Sequence, residues 1–321
     1  MNTFPTLLKR EFWEHKGGML WAPLVVGGLL LLFALGSLLL GLAFKGGALT
    51  MNGERIVIDG QLIDATTQAK IAGSMVFAAL PSMAPLAGVL ALVLFFHALG
   101  SLYDDRKDRS VLFWKSMPVS DTATVLSKLA SMLVVAPLIT ALIGGLFGVV
   151  LVLAAALAAN MLGAGILGRV LATPDLYLTP LAIVTLVPVY ALWVLPGIAW
   201  CMAVSAWARR APFLWAVGLP LGAGVLLSWQ EAMFDVALGA GGFWKHVVGR
   251  FFGSFIPGLW FAFDAREGGL DGFTPGESSV LELVAQSYAT LVSPALWIGL
   301  AVGAALVALA IRLRRWREDA G

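Results

Sequence analysis

Residues 129–159 read LASMLVVAPLITALIGGLFGVVLVLAAALAA, with no Asp, Glu, Lys or Arg in the run. A membrane-spanning helix needs about 20 mostly apolar residues. At a rise of about 1.5 Å per residue this stretch is about 45 Å long, so it must tilt or protrude from a bilayer. Five further runs are equally free of charge: 21–44, 75–97, 180–207, 211–229 and 293–311. None alternates with period 2, and each is about two to three times too long for one strand of a membrane barrel. A mean hydropathy of +0.89 excludes an ordinary soluble domain. The expected fold is therefore all-α and polytopic: one domain over 1–321 with six transmembrane helices. The first run follows a basic stretch, as in a signal peptide, but its apolar part is too long and no small-residue cleavage site follows.

The basic residues orient these spans. With six spans, 1–20, 98–128, 208–210 and 312–321 share one side. They carry 14 of the 21 Lys and Arg in 64 residues, against 7 in 113 on the other side. The positive-inside rule then places both termini in the cytoplasm. Arg312, Arg314, Arg315 and Arg317 read as the terminal stop, facing lipid headgroups. A net charge of +2 does not point to nucleic acid, and the single Cys201 allows no intrachain disulfide.

Three segments outside the spans have local character. In 3–16, Phe4, Leu7, Leu8 and Phe12 recur at helical spacing while Lys9, Arg10, Glu11 and Glu14 face elsewhere, which predicts an amphipathic surface helix. In 55–64, RIVIDGQLID, two β-branched segments flank Asp59-Gly60 and predict a small hairpin. The long external region 230–292 concentrates Phe243, Trp244, Phe251, Phe252, Phe255, Trp260, Phe261 and Phe263 among glycines. Interfacial or re-entrant helices fit it better than a seventh span; an aromatic belt at the headgroups is the plainer alternative. Gly144/Gly148, Gly218/Gly222 and Gly299/Gly303 have the spacing of close helix approach.

Catalytic signatures are missing. There is no GxxxxGK[ST], HExxH or GxSxG, and the GxGxxG letters at Gly163–Gly168 follow a membrane helix on the wrong side. His15, His97 and His246 are far apart in sequence, so a zinc site is not expected. The charge-free spans also argue against a self-sufficient proton-driven pump. A membrane pathway powered from elsewhere remains.

The segment 103–120, YDDRKDRSVLFWKSMPVS, breaks this apolar pattern. Asp104, Asp105, Arg106, Lys107, Asp108 and Arg109 occupy six consecutive positions. Asp104 and Asp105 suit a helix start, Val111, Leu112, Phe113 and Trp114 follow, and Pro118 closes the element. Ser120-Asp121-Thr122 then caps a helix that runs through Lys128 into the third span. The apolar half either rests on the membrane or inserts into a groove of a soluble partner.

The stretch DDRKDRSVLFWKSMPVSDTATVLSKL resembles the cytoplasmic segment of ABC-2 type transporter permeases, at Asp105, Arg106, Ser110, Leu112, Ser116, Pro118, Val119, Ser120 and Lys128. LLKREFWEHKG is similar to that family's interfacial elbow helix, with Lys9, Arg10 and Glu11 at its basic–acidic step. The resemblance covers about 40 residues. Asp108 and Arg109 depart from it where a Gly is common, and Phe113-Trp114 is bulkier. It implies a permease subunit in the bacterial inner membrane, most often an exporter. Two copies would pair with two copies of a separate P-loop ATPase that binds MgATP, so this chain would hold no cofactor and do no bond chemistry. Helix 104–117 would be the coupling helix, engaging that ATPase through Asp104 to Ser110, Leu112, Phe113, Trp114 and Pro118. The aromatic surfaces suggest an amphipathic substrate. A secondary carrier or channel without an ATPase, and a membrane scaffold, are the alternatives.

Overall fold

The computed structural model describes residues 4–44, 48–51, 54–57, 65–108, 119–263 and 279–316. Six helices are long and apolar enough to cross a membrane: Phe4–Ala43, Thr66–Lys107, Asp121–Met161, Asp175–Trp207, Pro212–Phe234 and Pro294–Trp316, here spans 1 to 6. The chain is a multi-pass helical membrane protein.

Most spans outrun their apolar runs because polar residues continue the helices. Span 3 starts at Asp121, where the Ser120 hydroxyl accepts a 3.1 Å hydrogen bond from the Ala123 N–H, the expected cap. Span 1 begins at Phe4. Its first section, Phe4–Lys16, is kinked at His15 and passes through a π-helical turn at Gly17–Trp21 into Ala22–Phe44. A glycine pair beside a π turn is a common cause of such a bend. Spans 2 and 4 are interrupted at Met83 and Leu186, each next to prolines that cannot donate to the helical ladder: Pro81 and Pro85, and Pro188.

The core lies where spans 2, 3, 4 and 6 meet, around Leu94, Met132, Trp193, Ile198, Met202 and Leu296. Spans 1 and 5 are peripheral and expose rows such as Leu29, Leu32 and Phe33, and Leu219 and Leu226. Lipid is as apolar as leucine, so close packing and internal hydrogen bonds must hold such a bundle. Two glycine pairs serve that end. A methyl at Gly148 would meet Met83 at 2.4 Å, and one at Gly303 would meet Leu195 and Pro196 at 3.2–3.4 Å. Gly218 and Gly222 have nothing within 4 Å among the described residues, so the same spacing there closes no contact inside the chain.

A hairpin forms just before the one expected at 55–64. Strands Ala48–Met51 and Glu54–Val57 pair antiparallel with Met51 opposite Glu54, which makes Asn52-Gly53 the connection. Asn-Gly, like Asp-Gly, is a strong two-residue hairpin signal. Residues 55–57 belong to the second strand of this hairpin, and the Asp59-Gly60 turn expected from sequence lies outside the described residues.

Residues 240–263 fold back into the bundle. Phe251, Phe255, Trp260 and Phe263 are buried. Trp244 lies against Gly224 midway along span 5, and Phe255 with Ser254 lies against Gly197 midway along span 4. Phe95 of span 2 meets Phe251 and Phe255 edge-on at centroid distances of 6.2 and 5.6 Å. Tyr190 donates to the Phe255 carbonyl at 2.7 Å, and the Trp244 indole donates to Ser228 at 2.9 Å. These aromatics are wedged between spans 2, 4 and 5 instead of forming a belt across their ends, and the glycines supply the room.

Candidate functional site

At the end of the bundle that carries both terminal segments, five charges alternate in one chain. Lys128 Nζ lies 3.3 Å from both oxygens of Glu11 and 3.5 Å from Asp105 Oδ1. Arg314 Nη1 donates to Asp105 Oδ2 at 2.9 Å, and its Nε donates to Asp121 Oδ1 at 3.3 Å. Glu11 is fully buried and Lys128 and Arg314 nearly so. Removing one member of such a buried set strands its partner, at a cost of about 3–5 kcal/mol. The network joins spans 1, 2, 3 and 6.

Arg106 adds span 4. Its Nη2 donates to the carbonyls of Ser205 and of Ala208, the latter at 3.0 Å. Ser205 Oγ in turn accepts from the backbone N–H groups of Leu102 and Tyr103, at 3.0 and 2.9 Å. Those two N–H groups are among the orphans at the start of the short helix Tyr103–Lys107, so a hydroxyl of another span caps it. Asp104 and Asp105 do sit in its first turn, as expected. The helix ends at Lys107, however, with Asp108 bonded back to the Asp104 carbonyl at 2.9 Å. Arg109, Ser110, Leu112, Phe113, Trp114 and Pro118 lie outside the described residues, and with them the rest of the expected helix 104–117.

The expected site residues therefore divide by direction. Asp104, Lys107, Asp108 and Lys9 are exposed; Arg10 is half-buried and pairs with Glu14; Glu11 and Arg106 face inward, with Asp105 half-buried between them. Two expectations need correction. Glu11 shares the buried face of its helix with Leu7 instead of lying among the polar residues, because Lys128 is there to meet it. Arg314 is no headgroup contact, whereas Arg312 and Arg315 are exposed as expected. A signal for Arg314 exists in the sequence: the buried positions of span 6 run 296, 299, 303, 307, 310, 314, one continuous helical stripe.

The fold also brings together two histidines that sequence distance separates. The rings of His15 and His97 are in contact, tilted by 48° with centroids 3.9 Å apart. With Glu11 they offer metal-ligand atoms within 4.8 Å of one another. The donor set, two imidazoles and a carboxylate, suits zinc. Its charge does not, because the Glu11 carboxylate is already engaged by Lys128. A dication beside that ammonium meets repulsion of roughly 4 kcal/mol per unit charge at 4 Å.

A second charged group lies at the opposite end of span 6, and nothing in the sequence pattern marks it. Arg250, from the inserted segment, donates through Nη1 to the Ala295 carbonyl and stacks over Trp193 at 5.0 Å. A methyl on Gly299 would overlap its guanidinium, so the glycine makes the space. Arg250 Nε and Nη2 are buried without a hydrogen-bond partner among the described residues, as is Ser293 Oγ two residues before Ala295. A cation–π contact contributes about 0.5–2 kcal/mol and a charged hydrogen bond about 1.5–3. Withdrawing a cation from water costs several kcal/mol even after relaxation, so the site is under-compensated.

No family model matches this sequence, and no curated protein or solved structure matches it either.

Proposed function

We propose that the chain is the membrane subunit of an ATP-binding cassette transporter of the ABC-2 permease type, driven by a separate P-loop ATPase. In this reading the terminal end faces the cytoplasm of a bacterial cell. Two copies combine with two ATPase subunits, and MgATP is hydrolysed in the partner while the spans form the pathway. One observation carries the reading. Glu11, Asp105 and Lys128, which bear the sequence resemblance, join one network across spans 1, 2, 3 and 6, and Arg106, next to Asp105 on the same short helix, ties in span 4. A load applied at 104–120 therefore reaches five spans at once, which is what a motor docked there requires.

The test uses the exposed charges, since Arg106 is needed for the fold. The triple variant D104K/K107E/D108K should insert and melt like the parent but lose co-purification with the ATPase and coupled hydrolysis. Full coupled turnover in that variant would remove the docking assignment. Arg250 favours one rival specifically, because ionisable groups inside a bundle also serve secondary carriers. Transport by the chain alone in vesicles, without nucleotide, would establish that rival instead.

A further inference from the structure

Arg10 and Arg250 present the same edge of the guanidinium in contrasting states. In Arg10, Nε and Nη2 form a fork on Glu14, at 2.7 and 3.2 Å. In Arg250 the same two nitrogens are bare. Among the described residues no carboxylate comes within ion-pair reach of them. The Nε–Nη2 edge is planar and matches two oxygens of a carboxylate or phosphate. Everything else about Arg250 holds it in place: Nη1 is fixed on the Ala295 carbonyl, Trp193 stacks on its plane, and Gly299 gives it room. Arg314, at the other end of the same span, is by contrast matched by two acids.

We infer that Arg250 is an anion-binding residue: its free edge takes the oxyanion head, phosphate or carboxylate, of an amphipathic molecule. The inference rests on the permease reading and gives its substrate a charge. The apolar part of such a molecule finds its complement in the aromatic segment that carries the arginine, at Phe251, Phe255 and Trp260. Both bare nitrogens are closed off from solvent, so the site is shut in this conformation. Separation of the inserted segment from Gly299 on span 6 opens it, which makes the site available in only part of a transport cycle.

The test is direct binding to the purified full-length protein in a non-ionic detergent, with no ATPase present. The probes are dodecyl phosphate, a dodecyl trimethylammonium salt and inorganic phosphate. Dodecyl phosphate should bind and the ammonium should not. R250Q should weaken dodecyl phosphate by about tenfold or more, the loss of a charged hydrogen-bond pair. R312Q/R315Q, which removes exposed arginines at the other end, should leave it unchanged. G299A, which keeps Arg250 but drives a methyl into its place, should also weaken binding, and it carries the test if R250Q does not fold. Equal affinity in the parent, R250Q and G299A, or binding lost only in R312Q/R315Q, overturns the site. Inorganic phosphate binding as tightly as dodecyl phosphate overturns the amphipathic part. Because no nucleotide is involved, a negative result here leaves the docking test above intact.

Discussion

Arg314 and Arg250 lie against opposite ends of span 6 and are held in opposite ways. Arg314 reaches two carboxylates, on spans 2 and 3, inside a run of alternating charges. Arg250 reaches a backbone carbonyl, an indole face and a glycine, and two of its three nitrogens meet no acceptor among the described residues. The first arrangement fixes helices to one another. The second spends packing and backbone strength on positioning a charge and leaves the charge itself unanswered. Buried charge is expensive at either end, so the difference separates a structural use from a binding use.

The comparison can be broken at several points. The largest effect is expected at Lys128. K128M takes from the fully buried Glu11 its nearest cation, leaving Arg10 at 3.8 Å, and should cost about 3 kcal/mol, read from unfolding in mixed micelles. Adding E11Q should recover much of that loss; additive losses would mean that the two side chains do not act as a pair. G299A should cost about 1–3 kcal/mol by overpacking against the Arg250 guanidinium. S205A uncovers two backbone N–H groups and should cost about 1–2 kcal/mol. G218A is the smallest and opposite in sign. Nothing lies within 4 Å, so the gain in helix propensity should stabilise by up to about 1 kcal/mol. A destabilised G218A would reveal that this face is covered by something outside the chain.

The six spans are legible because a charge-free run longer than about 20 residues has few other solutions. Much of the network is legible piecemeal: Glu11, Asp105, Arg106 and Lys128 draw attention as charges at span borders, and Arg314 continues the Gly299–Gly303 stripe. What sequence does not give is their convergence, since Glu11 and Lys128 are 117 residues apart. The His15–His97 contact is hidden for the same reason, and sequence distance argues wrongly against it. Arg250 is the hardest case. Its segment has no sustained helical or strand period, being cut by Gly249, Gly253, Pro257 and Gly258, so no pattern assigns its side chain a direction. The hairpin at 48–57 is within reach of sequence: Asn52-Gly53 is as good a turn signal as Asp59-Gly60, but the β-branched flanks of the latter draw the reading to it.

The claim that one end of the molecule uses charge to hold the fold while the other keeps a charge for a ligand meets its most direct test in a paired measurement. R314M and R250M are compared for unfolding stability in the same micelles. Stranding Asp105 and Asp121 should make R314M lose about 3 kcal/mol or more. R250M strands no acid and relieves an under-compensated burial, so it should lose less than about 1 kcal/mol. Equal losses in the two variants would contradict the account.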